Sequence, residues 1–128
     1  MRLRVLINRL VLAVALMVGG LVPAVAENNS MYWPVRSTHP YQVQIVFYSE
    51  WRAWEWPGGG QAYRLDDSET HGFNLGCNPG EKVCLGAWEK GNSNIYWGVG
   101  YSRRHSCSAC CYICGDGQIP TQVLNPPD

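Results

Sequence analysis

All six cysteines of this 128-residue chain fall between Cys77 and Cys114, and this cluster constrains the fold more than any other feature of the sequence. The six are Cys77, Cys84, Cys107, Cys110, Cys111 and Cys114. An even number of cysteines in a short exported chain is typical of a disulfide framework. We therefore predict three disulfides that staple a small domain, and the sequence alone leaves their connectivity open.

The N-terminal residues predict the compartment in which these disulfides form. Arg2, Arg4 and Arg9 make a positive head, residues 10–22 are an apolar run, and residues 24–26 read Ala-Val-Ala. These are the three parts of a secretory signal peptide, which we place at residues 1–26. The alternative is a membrane anchor, but the apolar run is shorter than a bilayer span requires. We expect a secreted or periplasmic protein with no membrane span after signal cleavage.

The segment between Cys77 and Cys84 narrows the possible pairings. Residues 78–81 read Asn-Pro-Gly-Glu, which favours a tight turn. With a four-residue turn, Cys77 faces Lys82 across a hairpin, and Cys84 lies diagonal to Cys77, too far for a direct bond. Both cysteines then bond to residues 107–114, and a third bridge lies within that segment. A six-residue loop would instead let Cys77 bond Cys84; we favour the first arrangement.

The run Cys-x-x-Cys-Cys-x-x-Cys at 107–114 also fits two other kinds of site. Four thiolates at this spacing suit zinc, and His105 stands nearby. Either Cys-x-x-Cys pair could exchange disulfides if a helix start lowered its thiol pKa. An oxidising compartment favours structural disulfides over both alternatives.

Hydrophobic patterning predicts an all-β domain. Residues 41–48 alternate glutamine with apolar side chains, as a half-buried strand does. Further strand candidates occur at 62–65, 72–77, 82–88 and 95–101, separated by turn residues. This spacing is typical of a small antiparallel sandwich or barrel-like meander. We divide the remaining chain into an extended lead-in at 27–40, the cysteine-rich β domain at 41–118 and a polar tail at 119–128.

The charge of the mature chain bears on its partners. The full chain has ten basic and ten acidic residues, and signal cleavage removes three arginines and no acid. The mature chain is therefore mildly acidic and has no basic run, which argues against nucleic acid as the partner.

The tryptophans are the best candidates for a binding surface. Trp51, Trp54 and Trp56 lie within six residues and precede a glycine loop, and Trp54 and Trp56 share a face if the segment is extended. Exposed indoles provide flat amphipathic surfaces that suit sugar rings. The alternative is that these rings cap one end of the sandwich. Trp88 and Trp97, which lie in strand candidates, are expected in the core.

The sequence offers no catalytic constellation and no cofactor motif. Asp66, Asp67 and Glu69 could hold calcium, but their spacing is not that of a known calcium loop, and a solvated turn is the simpler interpretation.

The sequence therefore favours an exported, disulfide-rich binding protein whose partner is a glycan or a cell-envelope component. One alternative is a small hydrolase of extracellular polymer that uses His71 with Glu50 or Glu55. Another is a secreted metal-binding protein that uses the C-terminal cysteines.

Overall fold

The computed structural model describes residues 29–127, so the predicted signal peptide lies outside the described residues. The described chain is built from nine strands and one short 3-10 helix, Tyr101–Arg103. The strands are β1 Ser30–Ser37, β2 Val43–Ser49, β3 Glu55–Trp56, β4 Tyr63–Leu65, β5 His71–Gly76, β6 Lys82–Glu89, β7 Asn92–Gly98, β8 Cys111–Ile113 and β9 Gln122–Leu124. Within these residues, no helix has the length and apolar character needed to cross a membrane.

The strands form two packed sheets, which confirms the predicted all-β sandwich. The three-stranded sheet has the order β5-β1-β9. The six-stranded sheet has β3-β2-β6-β7 as its path, with β4 also paired to β2 and β8 also paired to β6. Strand pairs are antiparallel except β1 with β9, which is parallel.

The main core lies between the two sheets and consists of the side chains that point inward at every second position along the strands. In β1 the odd-numbered residues point inward and are buried, among them Trp33 and Val35, while the even-numbered residues face outward. In β2 the inward residues are Val43, Ile45 and Phe47, which join the same cluster. The Trp33 and Phe47 rings meet at 4.9 Å between centroids and so join the two sheets.

Both ends of the described chain depart from the predicted layout. The segment 27–40, expected as a lead-in, contains β1, which is the middle strand of the three-stranded sheet. The segment 119–128, expected as a polar tail, contains β9, and its Ile119 and Leu124 are buried in the main core. The two ends pair with each other, so their apolar residues are covered by contacts that no local pattern reveals.

The three disulfides are Cys77–Cys114, Cys84–Cys111 and Cys107–Cys110. Two bridges therefore staple the C-terminal segment to the body and the third lies within that segment, as the favoured arrangement predicted. The predicted hairpin is wrong, however, because β5 and β6 belong to opposite sheets. Residues 78–81 carry the chain from one sheet to the other, and Cys77 and Cys84 lie on different sides of that crossing.

A smaller core covers part of the outer face of the six-stranded sheet. The segment that follows β7 folds back over this face and buries Val99 and Cys110 against outward side chains of β2 and β6. Those outward side chains include Val46, Tyr48 and Trp88. On the β4 side of the sheet, Gln44 of β2 stays partly exposed and Arg64 of β4 stays exposed, so part of the outer face is open.

Candidate functional site

The three predicted binding tryptophans separate into two exposed rings and one buried ring. Trp51 is 61% exposed and Trp54 is 53% exposed, whereas Trp56 is only 8% exposed. In β3, Trp56 pairs with Phe47, whose side chain faces the core, and its indole Nε1 donates to the Gly76 carbonyl at 2.9 Å. The prediction that Trp56 shares an exposed face with Trp54 is therefore wrong, and Trp56 is a core residue.

A buried carboxylate lies beneath the exposed indoles. Glu81 is fully buried and accepts two hydrogen bonds from Arg52, at 2.7 Å from Nε and 3.1 Å from Nη2. The Asn78 N–H donates to it at 2.9 Å, and the Ser49 hydroxyl donates to its Oε2. A buried charge is tolerated only when it is paired and hydrogen-bonded in this way.

The pKa of Glu81 reflects this environment. Burial alone raises the pKa of a carboxyl group, because it disfavours the charged form. Here the hydrogen bonds from Arg52, the Asn78 N–H and Ser49, with the charge of Arg52, outweigh burial and lower the pKa of Glu81 to about 2. Glu81 is therefore a carboxylate at neutral pH, and it holds Arg52 in a fixed orientation.

Arg52 in turn fixes the position of Trp54. Its guanidinium carbon Cζ lies 5.1 Å from the centroid of the Trp54 ring and 5.8 Å from that of Trp56. Guanidinium groups at this distance are attracted to indole faces. We call Trp51, Arg52 and Trp54 the indole ledge; it consists of two exposed indoles and the guanidinium that Glu81 binds.

Trp51 rests on the turn that carries Glu81. A Cβ atom placed on Gly80 would lie 3.1 Å from Cη2 of the Trp51 ring, and Gly80 has φ +86°. Position 80 needs a residue without a side chain, because the Trp51 ring lies close to it, and a residue that adopts a positive φ without strain. Glycine meets both needs. The Ser49 hydroxyl also accepts the backbone N–H groups of Trp51 and Arg52, at 3.1 and 3.3 Å.

The cysteine clasp supports this turn. The Gly80 N–H donates to the Cys114 carbonyl and the Cys114 N–H donates to the Glu81 carbonyl, both at 2.8 Å. Cys114 is bonded to Cys77 on the other side of the turn. The disulfide thus holds the backbone of Gly80 and Glu81, which in turn position the indole ledge.

A second concave feature lies on the open part of the outer face of the six-stranded sheet. We call it the outer groove; its volume is about 810 Å³. Its floor includes Gln44 and Tyr48 of β2, and its two sides are formed by Arg64 of β4 and by Tyr101 of the 3-10 helix. No sequence pattern pointed to this groove, because it depends on how the segment after β7 covers the sheet.

The other predicted candidates do not come together as a catalytic or metal site. His71 pairs with Asp67 at 2.7 Å in an exposed turn, and this hydrogen bond lowers the pKa of Asp67. Glu50 pairs with Arg103 at 2.7 Å, while Glu55 lines the outer groove.

Neither the acidic turn at residues 66–69 nor the cysteines are arranged as a metal site. Asp66 is paired with Arg64 rather than grouped with Asp67 for calcium. In residues 29–127, the one group of metal-ligating side chains is Glu50, Cys84 and Cys111, and its two sulfurs are bonded to each other.

Comparison of this chain with known proteins identifies no relative. No protein-family model matches this chain, and searches of curated proteins and of solved structures find no match either.

Proposed function

We propose that this protein is an exported binding module that holds a glycan of the cell envelope or extracellular space on the indole ledge. The observation that carries the proposal is that two tryptophans more than half exposed lie beside an ion pair between the partly exposed Arg52 and the buried Glu81. Exposing an indole to water is unfavourable for a monomer, so a fixed pair of exposed indoles favours an interaction surface.

The chemistry of the ledge suits a sugar ring. An indole offers a flat apolar face for the C–H groups of a pyranose and a polar N–H at its edge. The ledge is also pre-ordered, because Glu81, Ser49 and Gly80 fix its backbone and its central cation. A pre-ordered surface loses less conformational entropy on binding than a mobile loop.

The export and disulfide chemistry are consistent with this role. Three disulfides fit a compartment outside the reducing cytosol. Glycans of the envelope and of the extracellular space are accessible to a protein in such a compartment.

The test is a pull-down with insoluble polysaccharides, for which we suggest chitin, cellulose and purified peptidoglycan. We expect the mature protein to bind at least one of them and the Trp51→Ala and Trp54→Ala variants to lose most of that binding. The control is Tyr41→Ala, which removes another exposed ring outside the ledge. Failure of the wild-type protein to bind any polymer, or equal binding by the tryptophan variants, contradicts the proposal.

A further inference from the structure

The outer groove is lined by residues other than those of the indole ledge, and its polar groups favour a different class of ligand. Along β2 the outward residues Gln44 and Tyr48 form its floor, and Gln42 extends that floor beyond the start of the strand. The six residue steps from Gln42 to Tyr48 span about 20 Å of extended chain. The groove is therefore long enough for a short chain molecule rather than for a single small group.

The floor of the groove presents hydrogen-bond donors. The Trp88 indole N–H donates to Oε1 of Gln44 at 3.1 Å. An indole nitrogen can only donate, so the amide oxygen of Gln44 must face Trp88, and its NH₂ group is left to face the groove. That NH₂ group has no hydrogen-bond partner among residues 29–127, and it is therefore free to donate to a ligand.

Tyr48 supplies a second donor at the other end of the floor. Its hydroxyl oxygen accepts the backbone N–H of Ser102 at 3.1 Å, which leaves its proton free to donate. Burial raises the pKa of Tyr48, so the hydroxyl keeps this proton at neutral pH. Aromatic surface stands beside these donors, since Tyr101 is 40% exposed and its ring meets Trp88 edge-on at 5.0 Å. The Arg104 guanidinium carbon lies 4.8 Å from the centroid of the same ring.

The charges of the groove are unequal and separated. Arg64 stands opposite Gln44 in the register of β2 and β4, and Lys90 lies at the Gln42 end, where its N–H donates to the Gln42 carbonyl. Glu55 stands opposite Tyr48 at the far end. The charged residues that line the groove are therefore two cations at one end and one carboxylate at the other, and Asp66, which lies 3.6 Å from Arg64, stands outside this lining.

Arg64 is available to a ligand. Its contact with Asp66 is 3.6 Å long, and both side chains are more than 60% exposed. Exposed ion pairs of this kind contribute little free energy and exchange readily with other partners.

We propose that the outer groove binds an acidic oligosaccharide, with its carboxylates at Arg64 and Lys90 and its hydroxyl groups along Gln44 and Tyr48. A ligand that accepts many hydrogen bonds and carries negative charge complements a groove of donors and cations. Exposed aromatic surface beside those donors suits the apolar face of a sugar.

An acidic peptide fits the groove less well. Extended peptides gain affinity by pairing with an open strand edge. The backbone of β2 is already paired on both sides, with β6 on one and with β3 and β4 on the other. The residues that line the groove also include only two small aliphatic side chains, Val46 and Ala62, to contact a peptide's apolar residues.

The test is titration calorimetry of the mature protein with an oligogalacturonide, the neutral oligogalactoside of equal length, and polyglutamate. We expect binding of the oligogalacturonide, binding at least about tenfold weaker for the neutral sugar, and weak or absent binding of polyglutamate. The Arg64→Gln/Lys90→Gln double variant should lose about tenfold in affinity for the acidic sugar.

Two controls separate this groove from the indole ledge. Arg36→Gln/Lys82→Gln removes the same charge from exposed residues outside the groove, and its affinity should equal that of the wild-type protein. Trp51→Ala/Trp54→Ala should also keep its affinity for the oligogalacturonide, whether or not the ledge binds a glycan. The proposal is overturned if the acidic sugar does not bind, if the neutral sugar or polyglutamate binds equally well, or if Arg64→Gln/Lys90→Gln binds unchanged.

Discussion

The Glu81 carboxylate, which is fully buried, holds the partly exposed guanidinium of Arg52 through two hydrogen bonds of 2.7 and 3.1 Å. The pair joins the interior to the surface, because Glu81 belongs to the crossing between the two sheets and Arg52 lies against Trp54. A change at a residue with no access to solvent should therefore alter an exposed surface.

Replacing Glu81 by glutamine should lower the stability of the fold and loosen the ledge. The amide keeps the shape of the side chain but loses the charged hydrogen bonds to Arg52, and we expect a loss of about 2 kcal/mol in the free energy of unfolding. Urea denaturation measures this loss. Glu69→Gln is the control, because it removes an exposed carboxylate, and its unfolding midpoint should stay at the wild-type value. Equal midpoints for Glu81→Gln and wild type would show that the pair does not stabilise the fold.

The same carboxylate predicts how stability depends on pH. The pKa of Glu81 is about 2 in the folded protein, below its ordinary value of 4.5. A lowered folded-state pKa gives stability that is fully present above the unfolded pKa and is lost as the pH falls through the folded pKa. We therefore expect the unfolding free energies of wild type and Glu81→Gln to converge between about pH 4.5 and pH 2. A difference that stays constant over this range would contradict the assignment.

Four of the six strands of the six-stranded sheet, β2, β4, β6 and β7, could be predicted from sequence because their signals are local, whereas the short strands β3 and β8 were not predicted. Alternation of glutamine with apolar residues marks β2, and turn residues mark the ends of β6. The strand predicted at 95–101 lies three residues too late, because β7 spans Asn92–Gly98. The stapling of the C-terminal segment also followed from the cysteine positions, although the hairpin used to argue it does not exist. A tight-turn composition at 78–81 is equally suited to a crossing between sheets, so the sequence could not separate the two.

The parts that sequence could not give depend on contacts between distant residues. The parallel pairing of β1 with β9 joins the two ends of the described chain. The burial of Trp56 but not Trp54 depends on which side of β3 faces the core. The sequence marks Glu81 as an ordinary polar turn residue, and its burial depends on partners that include Arg52, 29 positions earlier, and Ser49.

The three neighbouring tryptophans should respond to substitution in two different ways. Trp56→Ala removes a ring packed in the main core and should cost about 3 kcal/mol or more in unfolding free energy. Trp51→Ala and Trp54→Ala remove exposed rings and should change stability by much less, and under the proposed function they should lose most of the glycan binding. Thermal denaturation by circular dichroism, run beside the pull-down, separates the two effects. A large loss of stability for Trp51→Ala would mean that this ring acts in the fold rather than in binding.

The disulfides should differ in what their removal costs. Cys77–Cys114 closes a loop with a sequence separation of 37, whereas Cys107–Cys110 has a separation of 3. In the loop-entropy account, the longer loop stabilises by about 4 kcal/mol and the shorter by about 2 kcal/mol. Urea denaturation of Cys77→Ser/Cys114→Ser and Cys107→Ser/Cys110→Ser measures both losses.

Only the first of these disulfides should also affect the ledge. Cys114 is hydrogen-bonded through its backbone to Gly80 and Glu81. The Trp51 ring lies against Gly80, and Arg52 donates to Glu81. Cys107 and Cys110 make no contact of this kind in the described chain. Cys77→Ser/Cys114→Ser should therefore weaken polysaccharide binding even at temperatures where the protein remains folded. Cys107→Ser/Cys110→Ser serves as the matched control and should bind as the wild-type protein does. Equal binding by both variants would show that the turn keeps its shape without the Cys77–Cys114 bond.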